Sequence, residues 1–135
     1  MQKTTTFLMF VGEQHGKAEE AIRFYTTLFP NSEITYLDRY GPGESEPEGS
    51  LKFASFTLDG QEYMAIDSAA EHQFTFTPSI SIYVRCESEE EIDEMYAKLS
   101  DGGFAMMTLG DYGFARKYAW VADRYGVTWQ LKLDW

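Results

Sequence analysis

One order of predicted elements occurs twice in this sequence, and that repeat constrains the fold more than any single motif. Residues 4–11 alternate apolar side chains as a strand does, and residues 17–29 change to helical spacing. Three strands are predicted after the helix, at 33–40, 51–58 and 61–68. Asp59-Gly60 between the last two strands is a strong signal for a two-residue hairpin turn. The first half is therefore predicted to be βαβββ.

The second half gives the same order. A strand is predicted at 79–85, and Ser88 with Glu91 forms a capping box at the start of a helix. Three more strands are predicted, at roughly 105–109, 118–122 and 127–133. One helix covers only one face of a sheet, so the other face must be buried by the partner half, another subunit or a ligand. We therefore predict an α+β protein, a single domain over residues 1–135 built from two βαβββ modules, 4–70 and 78–135.

Composition limits the partners. Eleven Lys and Arg against 22 Asp and Glu give a net charge of −11, which disfavours nucleic acid and anionic membranes as partners. We find no apolar run long enough for a membrane span and no secretory signal pattern. The single cysteine, Cys86, excludes an internal disulfide framework. We expect a cytoplasmic protein.

Three strings then point to a family: AEEAIRFYTTLFPNSEI, FTFTPSISIYVRCESEEEIDEMYAKLSDGG and YAWVADRYGVTWQL. Together with the doubled βαβββ order, they resemble the PhnB-like branch of the vicinal oxygen chelate superfamily, which includes glyoxalase I and bleomycin-resistance proteins. That branch has sometimes been labelled demethylubiquinone methyltransferase. The resemblance implies a U-shaped, cupped mixed β-sheet with helices on its outer face, and a homodimer. It does not imply one reaction. EQHGK at 13–17 departs from the family pattern as a short insertion.

Metal-dependent members of this superfamily place four ligands, typically His, Glu or Gln, on the concave face of the cup. The resemblance and the strand alternation put Thr5, Met64, Ser79 and Gln130 at these positions. None is a carboxylate or an imidazole, so a divalent cation would remain poorly neutralised there. We therefore expect no metal and no other cofactor. His15 and His72 are predicted to be loop histidines, not ligands.

The preferred functional hypothesis is metal-free binding of a small, partly apolar molecule in the cup. Gln130 with Ser and Thr hydroxyls would orient the ligand, while aromatic and methionine side chains would supply contact area. The predicted ligand-binding residues are Thr5, Phe7, Met9, Phe53, Met64, Ser79, Ser81, Tyr83, Trp120, Thr128 and Gln130. For Trp120, a place in the core is an equal alternative.

The alternative hypothesis is a glyoxalase-like lyase, isomerase or transferase. It would act without metal through Asp67 or a tyrosine such as Tyr83, or with a metal bound elsewhere. For Asp67 we favour a structural explanation, a strand-end carboxylate bonded to backbone amides. The methyltransferase label lacks support, because no GxGxxG motif is present. The sequence leaves open the ligand, the existence of a reaction, and whether the modules pair within or between chains.

Overall fold

The computed structural model describes residues 2–135, which form two compact units divided between Thr75 and Phe76. The first unit contains β1 (Thr6–Phe10), α1 (Ala18–Thr26), β2 (Ile34–Arg39), β3 (Leu51–Leu58) and β4 (Gln61–Asp67). The second contains β5 (Ser81–Cys86), α2 (Glu89–Ser100), β6 (Phe104–Gly110), β7 (Lys117–Ala122) and β8 (Thr128–Leu133). Neither helix in this part of the chain is long and apolar enough to cross a membrane.

Each unit has one four-stranded mixed sheet with the same topology. The strand orders are β1-β4-β3-β2 and β5-β8-β7-β6. In each sheet the first strand pairs in parallel with the last, and the remaining pairs are antiparallel. The prediction of an α+β protein with two βαβββ modules and mixed sheets is confirmed.

In the first module, small residues let the helix lie close to the sheet. Ala18 and Ala21 of α1 are completely buried, as are Ala54 of β3 and Ala65 of β4. Larger buried side chains fill the space around them and each contributes about 1.5–3 kcal/mol relative to exposure. They are Phe10, Ile22, Tyr25 and Phe56.

In the second module, α2 begins where the capping box predicts. The Ser88 hydroxyl accepts a hydrogen bond from the Glu91 backbone N–H at 3.1 Å, while the Glu91 carboxylate accepts from the backbone N–H of Glu87 at 2.6 Å. The apolar side of α2 lies over β7 and β8. Its buried residues Ile92, Met95 and Leu99 share the core with Val121, Trp129 and Leu131.

The predicted hairpin turn has the expected conformation. Asp59 and Gly60 both have positive φ, 50° and 81°, as a two-residue hairpin turn that matches the strand twist requires. The turn before β8 is fixed by Asp123, whose carboxylate accepts from the backbone N–H groups of Tyr125 and Val127 at 2.8 and 3.1 Å. It also accepts from the indole Nε1–H of Trp129 at 2.9 Å.

The predicted start of the fifth strand was wrong by two residues. Pro78 cannot donate a ladder hydrogen bond, and the Ile80 N–H bonds to the Thr77 carbonyl at 3.4 Å in a turn. The strand therefore begins at Ser81. Ser79 and Ile80 lie outside it, and Ile80 is 77% exposed.

Candidate functional site

Each sheet has one face covered by its helix and one face directed away from it, which we call the open face. In β8, Trp129, Leu131 and Leu133 are buried toward α2. Successive strand residues point to opposite sides, so Gln130 and Lys132 lie on the open face. The sequence analysis places Gln130 on this side of the sheet.

Gln130 lies between two aromatic side chains of neighbouring strands. Its partner on β5 is Tyr83, and its partner on β7 is Trp120. The Tyr118 hydroxyl donates to Gln130 Oε1 at 2.5 Å. Because the carbonyl end of the amide is held by Tyr118, its Nε2 donors are directed away from that hydroxyl. We call Tyr83, Tyr118, Trp120 and Gln130 the Gln130 cluster.

Tyr118 is held as a neutral hydrogen-bond donor. Burial raises the pKa of its phenol, and the neighbouring Tyr83 and Tyr112 raise the pKa further. The loop after β6 covers the ring, with Phe114 and Tyr112 at centroid distances of 4.9 and 6.0 Å in edge-on geometry. A tyrosine with a raised pKa is a poor base at neutral pH, so Tyr118 is suited to orienting Gln130 and not to abstracting a proton.

Trp120 carries an unused donor. Its side chain is half-buried on the open face, and its Nε1 atom is buried with no hydrogen-bond partner among residues 2–135. An unpaired buried N–H costs about 1–3 kcal/mol. A ligand oxygen that reached this N–H would recover that cost, and the amide of Gln130 lies on the adjacent strand position.

The open face of the first module carries several predicted residues, most of them apolar. Phe7 pairs with Met64 across β1 and β4, and Met64 pairs with Ser55 of β3. The ring of Phe53 lies 6.5 Å from that of Phe7 and 6.0 Å from that of Tyr36. Met9, on the same side of β1 as Phe7, is half-buried. This face offers contact area, with Ser55 as its polar group near Met64.

Four predicted residues lie outside the strands or form hydrogen bonds within the chain. Thr5 precedes β1, and the hydroxyl of Ser79 bonds to that of Thr77 at 2.7 Å in the turn before β5. Ser81 and Thr128 face each other on β5 and β8. Their hydroxyls bond at 2.9 Å, and Thr128 also donates to the Ile80 carbonyl at 2.6 Å. The hydroxyls of Ser79, Ser81 and Thr128 already have partners, and the role of all four residues in ligand binding stays a prediction.

Asp67 lies on the helix side of its sheet, opposite the open face. One carboxylate oxygen accepts from the backbone N–H groups of Gly16 and Ala18 at 2.8 and 3.2 Å, and the other accepts from Leu51 at 2.7 Å. The side chain is 3% exposed. This geometry fits the structural explanation of Asp67, which joins the start of α1 to the start of β3. Tyr83, the other catalytic candidate, is 47% exposed on the open face.

The residues around Gln130 do not fit a divalent metal. Within residues 2–135, no group of three or more His, Cys, Asp or Glu side chains is placed to hold one. The neighbours of Gln130 are two phenols and an indole, and the neighbours of Met64 are Phe7 and Ser55. A neutral set of this kind leaves the charge of a cation uncompensated. The histidines lie elsewhere: His72 bonds to Ser68 at 2.9 Å, and His15 lies 4.0 Å from Glu46.

Sequence reasoning missed Tyr118, Tyr112 and Phe114. Strand alternation in β7 would have placed Tyr118 on the same face as Trp120, two residues away. The covering loop has no periodicity, so nothing in the sequence indicated that Tyr112 and Phe114 would lie against Tyr118.

Comparison with known proteins identifies relatives across almost the whole chain. A family model described as 3-demethylubiquinone-9 3-methyltransferase matches residues 2–132. A Bacillus cereus protein, provisionally described as a 3-demethylubiquinone-9 3-methyltransferase and PhnB protein, is 54% identical. It superposes with a TM-score of 0.93, covering 98% of this chain and 99% of that one. No curated protein matches.

Two more distant structures show the fold alone. A protein from Pseudomonas aeruginosa is 21% identical with a TM-score of 0.81, over 99% of this chain and 98% of that one. A fosfomycin resistance protein from Listeria monocytogenes, crystallised as a mutant with Mn(II) and a dihydroxypropylphosphonic acid, is 14% identical with a TM-score of 0.60. That match covers 98% of this chain and 93% of the other.

Proposed function

The chain belongs to the family described as 3-demethylubiquinone-9 3-methyltransferase, the PhnB-like branch of the vicinal oxygen chelate superfamily, and we propose that it binds a small, partly apolar molecule without a metal. The observation that carries the proposal is the Tyr118–Gln130 hydrogen bond of 2.5 Å. It uses the acceptor end of Gln130, and Trp120, the cross-strand partner of Gln130 on β7, has an indole N–H with no hydrogen-bond partner among residues 2–135. Two adjacent donors suit a ligand oxygen.

The side chains around these donors supply the apolar part of the site. Tyr83 and Trp120 flank Gln130 on the two neighbouring strands. Aromatic side chains provide large contact area with little conformational freedom to lose, which favours flat, partly apolar ligands. A neutral aromatic carbonyl compound would place its oxygen at the donors and its ring against Tyr83 or Trp120.

Methyl transfer, which the family description names, is not part of the proposal. Nucleotide-type methyl donors are usually bound by doubly wound parallel sheets with a Gly-rich first turn. Each sheet here has one parallel pair, and the chain has no GxGxxG motif. No observation at Asp67 or Tyr83 favours the lyase, isomerase or transferase hypothesis.

The test uses the indole N–H resonances of ¹⁵N-labelled protein titrated with phenylacetamide, acetophenone and nicotinamide. The Trp120 resonance should move on binding, while that of Trp129, already bonded to Asp123 at 2.9 Å, should stay in place as an internal control. Fragments of about ten heavy atoms are expected to bind with millimolar Kd. Substituting phenylalanine for each tryptophan assigns the signals.

Two variants complete the test. Gln130→Leu should weaken binding about tenfold, whereas Gln61→Leu, at an exposed position of the first module, should have no effect. Metal content after incubation with Mn²⁺, Ni²⁺, Zn²⁺ and Fe²⁺ and desalting should be near zero. No movement of the Trp120 resonance with any of the three probes would reject the binding proposal. One tightly bound ion per subunit would reject its metal-free part.

A further inference from the structure

Two cations lie opposite each other on the open face of the second module. Arg85 of β5 pairs in register with Lys132 of β8. Both lie on the open face, because the residues just before them on the two strands, Val84 and Leu131, are buried toward α2. Each cation is two residues along its strand from a member of the Gln130 cluster, Arg85 from Tyr83 and Lys132 from Gln130.

In the absence of a ligand, the placement of Arg85 opposite Lys132 is electrostatically unfavourable. Like charges directly opposite on neighbouring strands destabilise a sheet. The chain has 22 acidic residues for 11 basic ones, yet Arg85 forms no ion pair with any residue from 2 to 135. Lys132 is paired at 3.1 Å with Asp134, whose side chain is 72% exposed. Surface pairs of this kind stabilise by about 0–1 kcal/mol, so another anion can readily replace Asp134 at Lys132.

We infer that the site prefers organic acids, with an aromatic or apolar body at the Gln130 cluster and an anionic head, carboxylate or phosphonate, at Arg85 and Lys132. This inference rests on the proposed function and names its substrate class. Strand residues two apart are separated by about 7 Å, a distance that a ring and a short acidic side chain can span together. A ring against Tyr83 and Trp120 therefore brings a short acidic side chain within reach of both cations.

The chemistry of the two cations is complementary. The planar guanidinium of Arg85 can bind two oxygens of an acid in parallel, while the ammonium of Lys132 acts as a compact charge from the neighbouring strand. An acid bound between them would also remove their mutual repulsion.

The experiment compares phenylacetate and benzylphosphonate with phenylacetamide, which matches phenylacetate in shape but lacks the charge. Affinity is measured from the Trp120 indole resonance. Phenylacetate should bind about tenfold more tightly than phenylacetamide, equivalent to about 1.4 kcal/mol. If benzylphosphonate binds more tightly than phenylacetate, the preferred head group is a phosphonate. If it does not, the preferred head group is a carboxylate.

Arg85→Gln combined with Lys132→Gln should remove the preference for the acid, so that phenylacetate and phenylacetamide bind with similar affinity. Lys98→Gln is the matched control, since Lys98 is an exposed cation on α2 paired with Glu94. An unchanged Trp129 indole resonance verifies that each variant is folded.

Equal affinity for acid and amide in the unmodified protein would overturn the inference, as would a preference that survives in the double variant. In both cases, movement of the Trp120 resonance by phenylacetamide would leave the proposed binding function standing. If neither probe moved that resonance, the inference and the proposed function would fail together.

Discussion

The hydrogen bond between Asp123 and the indole of Trp129 allows a quantitative test of what holds the second module together. Asp123 is 4% exposed, and its carboxylate accepts hydrogen bonds from Tyr125 N, Val127 N and Trp129 Nε1. In Asp123→Asn, one oxygen can still accept from the two backbone amides, but the new NH₂ group faces the indole N–H. A lost hydrogen bond to a charged acceptor costs about 1.5–3 kcal/mol, and both the new NH₂ group and the indole N–H are left without an acceptor. We expect a loss of about 3 kcal/mol in the free energy of unfolding.

Trp129→Phe removes the indole donor and leaves a void in the core, at a cost of about 2 kcal/mol. In the Trp129→Phe background, the NH₂ group introduced by Asp123→Asn no longer faces an indole N–H. The substitution should cost only about 1.5 kcal/mol, the difference between a charged and a neutral acceptor for two amides. The double variant should therefore be about 1.5 kcal/mol more stable than the sum of the single effects predicts.

Urea unfolding followed by tryptophan fluorescence measures these changes in the relevant module, because Trp120, Trp129 and Trp135 all lie in it. With an m-value of about 2 kcal/mol/M, Asp123→Asn should lower the midpoint by about 1.5 M. Asp101→Asn, at an exposed carboxylate paired with Arg124, is the control and should change little. Additive effects, within about 0.5 kcal/mol, would show that the indole and the carboxylate do not interact.

Three shorter predictions concern other sites. Hydrogen bonds from Arg39 lower the pKa of Glu19 from 4.5 to about 2, so its contribution to stability is present above pH 4.5 and is lost as the pH falls toward 2. Glu19→Gln should therefore destabilise by about 1 kcal/mol at pH 7, a value limited by solvent screening, and not at pH 2. Burial raises the pKa of Cys86 to about 12, so its thiol should react with a disulfide reagent at pH 8 only after unfolding. Gly103→Ala would place a Cβ 2.0 Å from the Ala122 carbonyl oxygen, and the thermal unfolding midpoint should fall by several degrees or more.

Each of these has a result that would contradict it. An equal loss of stability at pH 2 and pH 7 would show that the effect of Glu19→Gln is not ionic. Rapid labelling of Cys86 in the folded protein would contradict its burial, and a Gly103→Ala variant as stable as the parent would contradict the close approach to Ala122.

Local patterns in the sequence predicted most of the fold. The hairpin at Asp59-Gly60 and the cap at Ser88 depend on neighbouring residues, so they could be read from short strings. The orientation of Gln130 followed from strand alternation in β8. By contrast, Asp67 contacts Gly16 and Ala18, which are 51 and 49 positions away in the chain. Such partners are set by tertiary packing, so the sequence could suggest backbone partners for Asp67 without naming them.

The site was harder to predict than the fold because it depends on where strands begin and on what covers them. Because β5 begins at Ser81 and not at Ser79, Ser79 lies in the turn before the strand, while Ser81 pairs with Thr128. The hydrogen bond from Tyr118 to Gln130 is diagonal across two strands, and the ring is covered by a loop without periodicity. Strand alternation identifies which side chains share a face and does not identify which of them bond.

The parallel pairing of first and last strands also affects how the chain is made. Thr6 pairs with Tyr63, 57 residues later, and Ser81 pairs with Thr128, 47 residues later. During translation, neither sheet can close until its fourth strand has left the ribosome. The first strand of each module therefore stays unpaired until that point. Long-range pairings of this kind slow folding. Until β4 emerges, Asp67 cannot supply the acceptor for the N–H groups of Gly16 and Ala18, and the nascent first module lacks the Asp67 hydrogen bonds that link the start of α1 to β3.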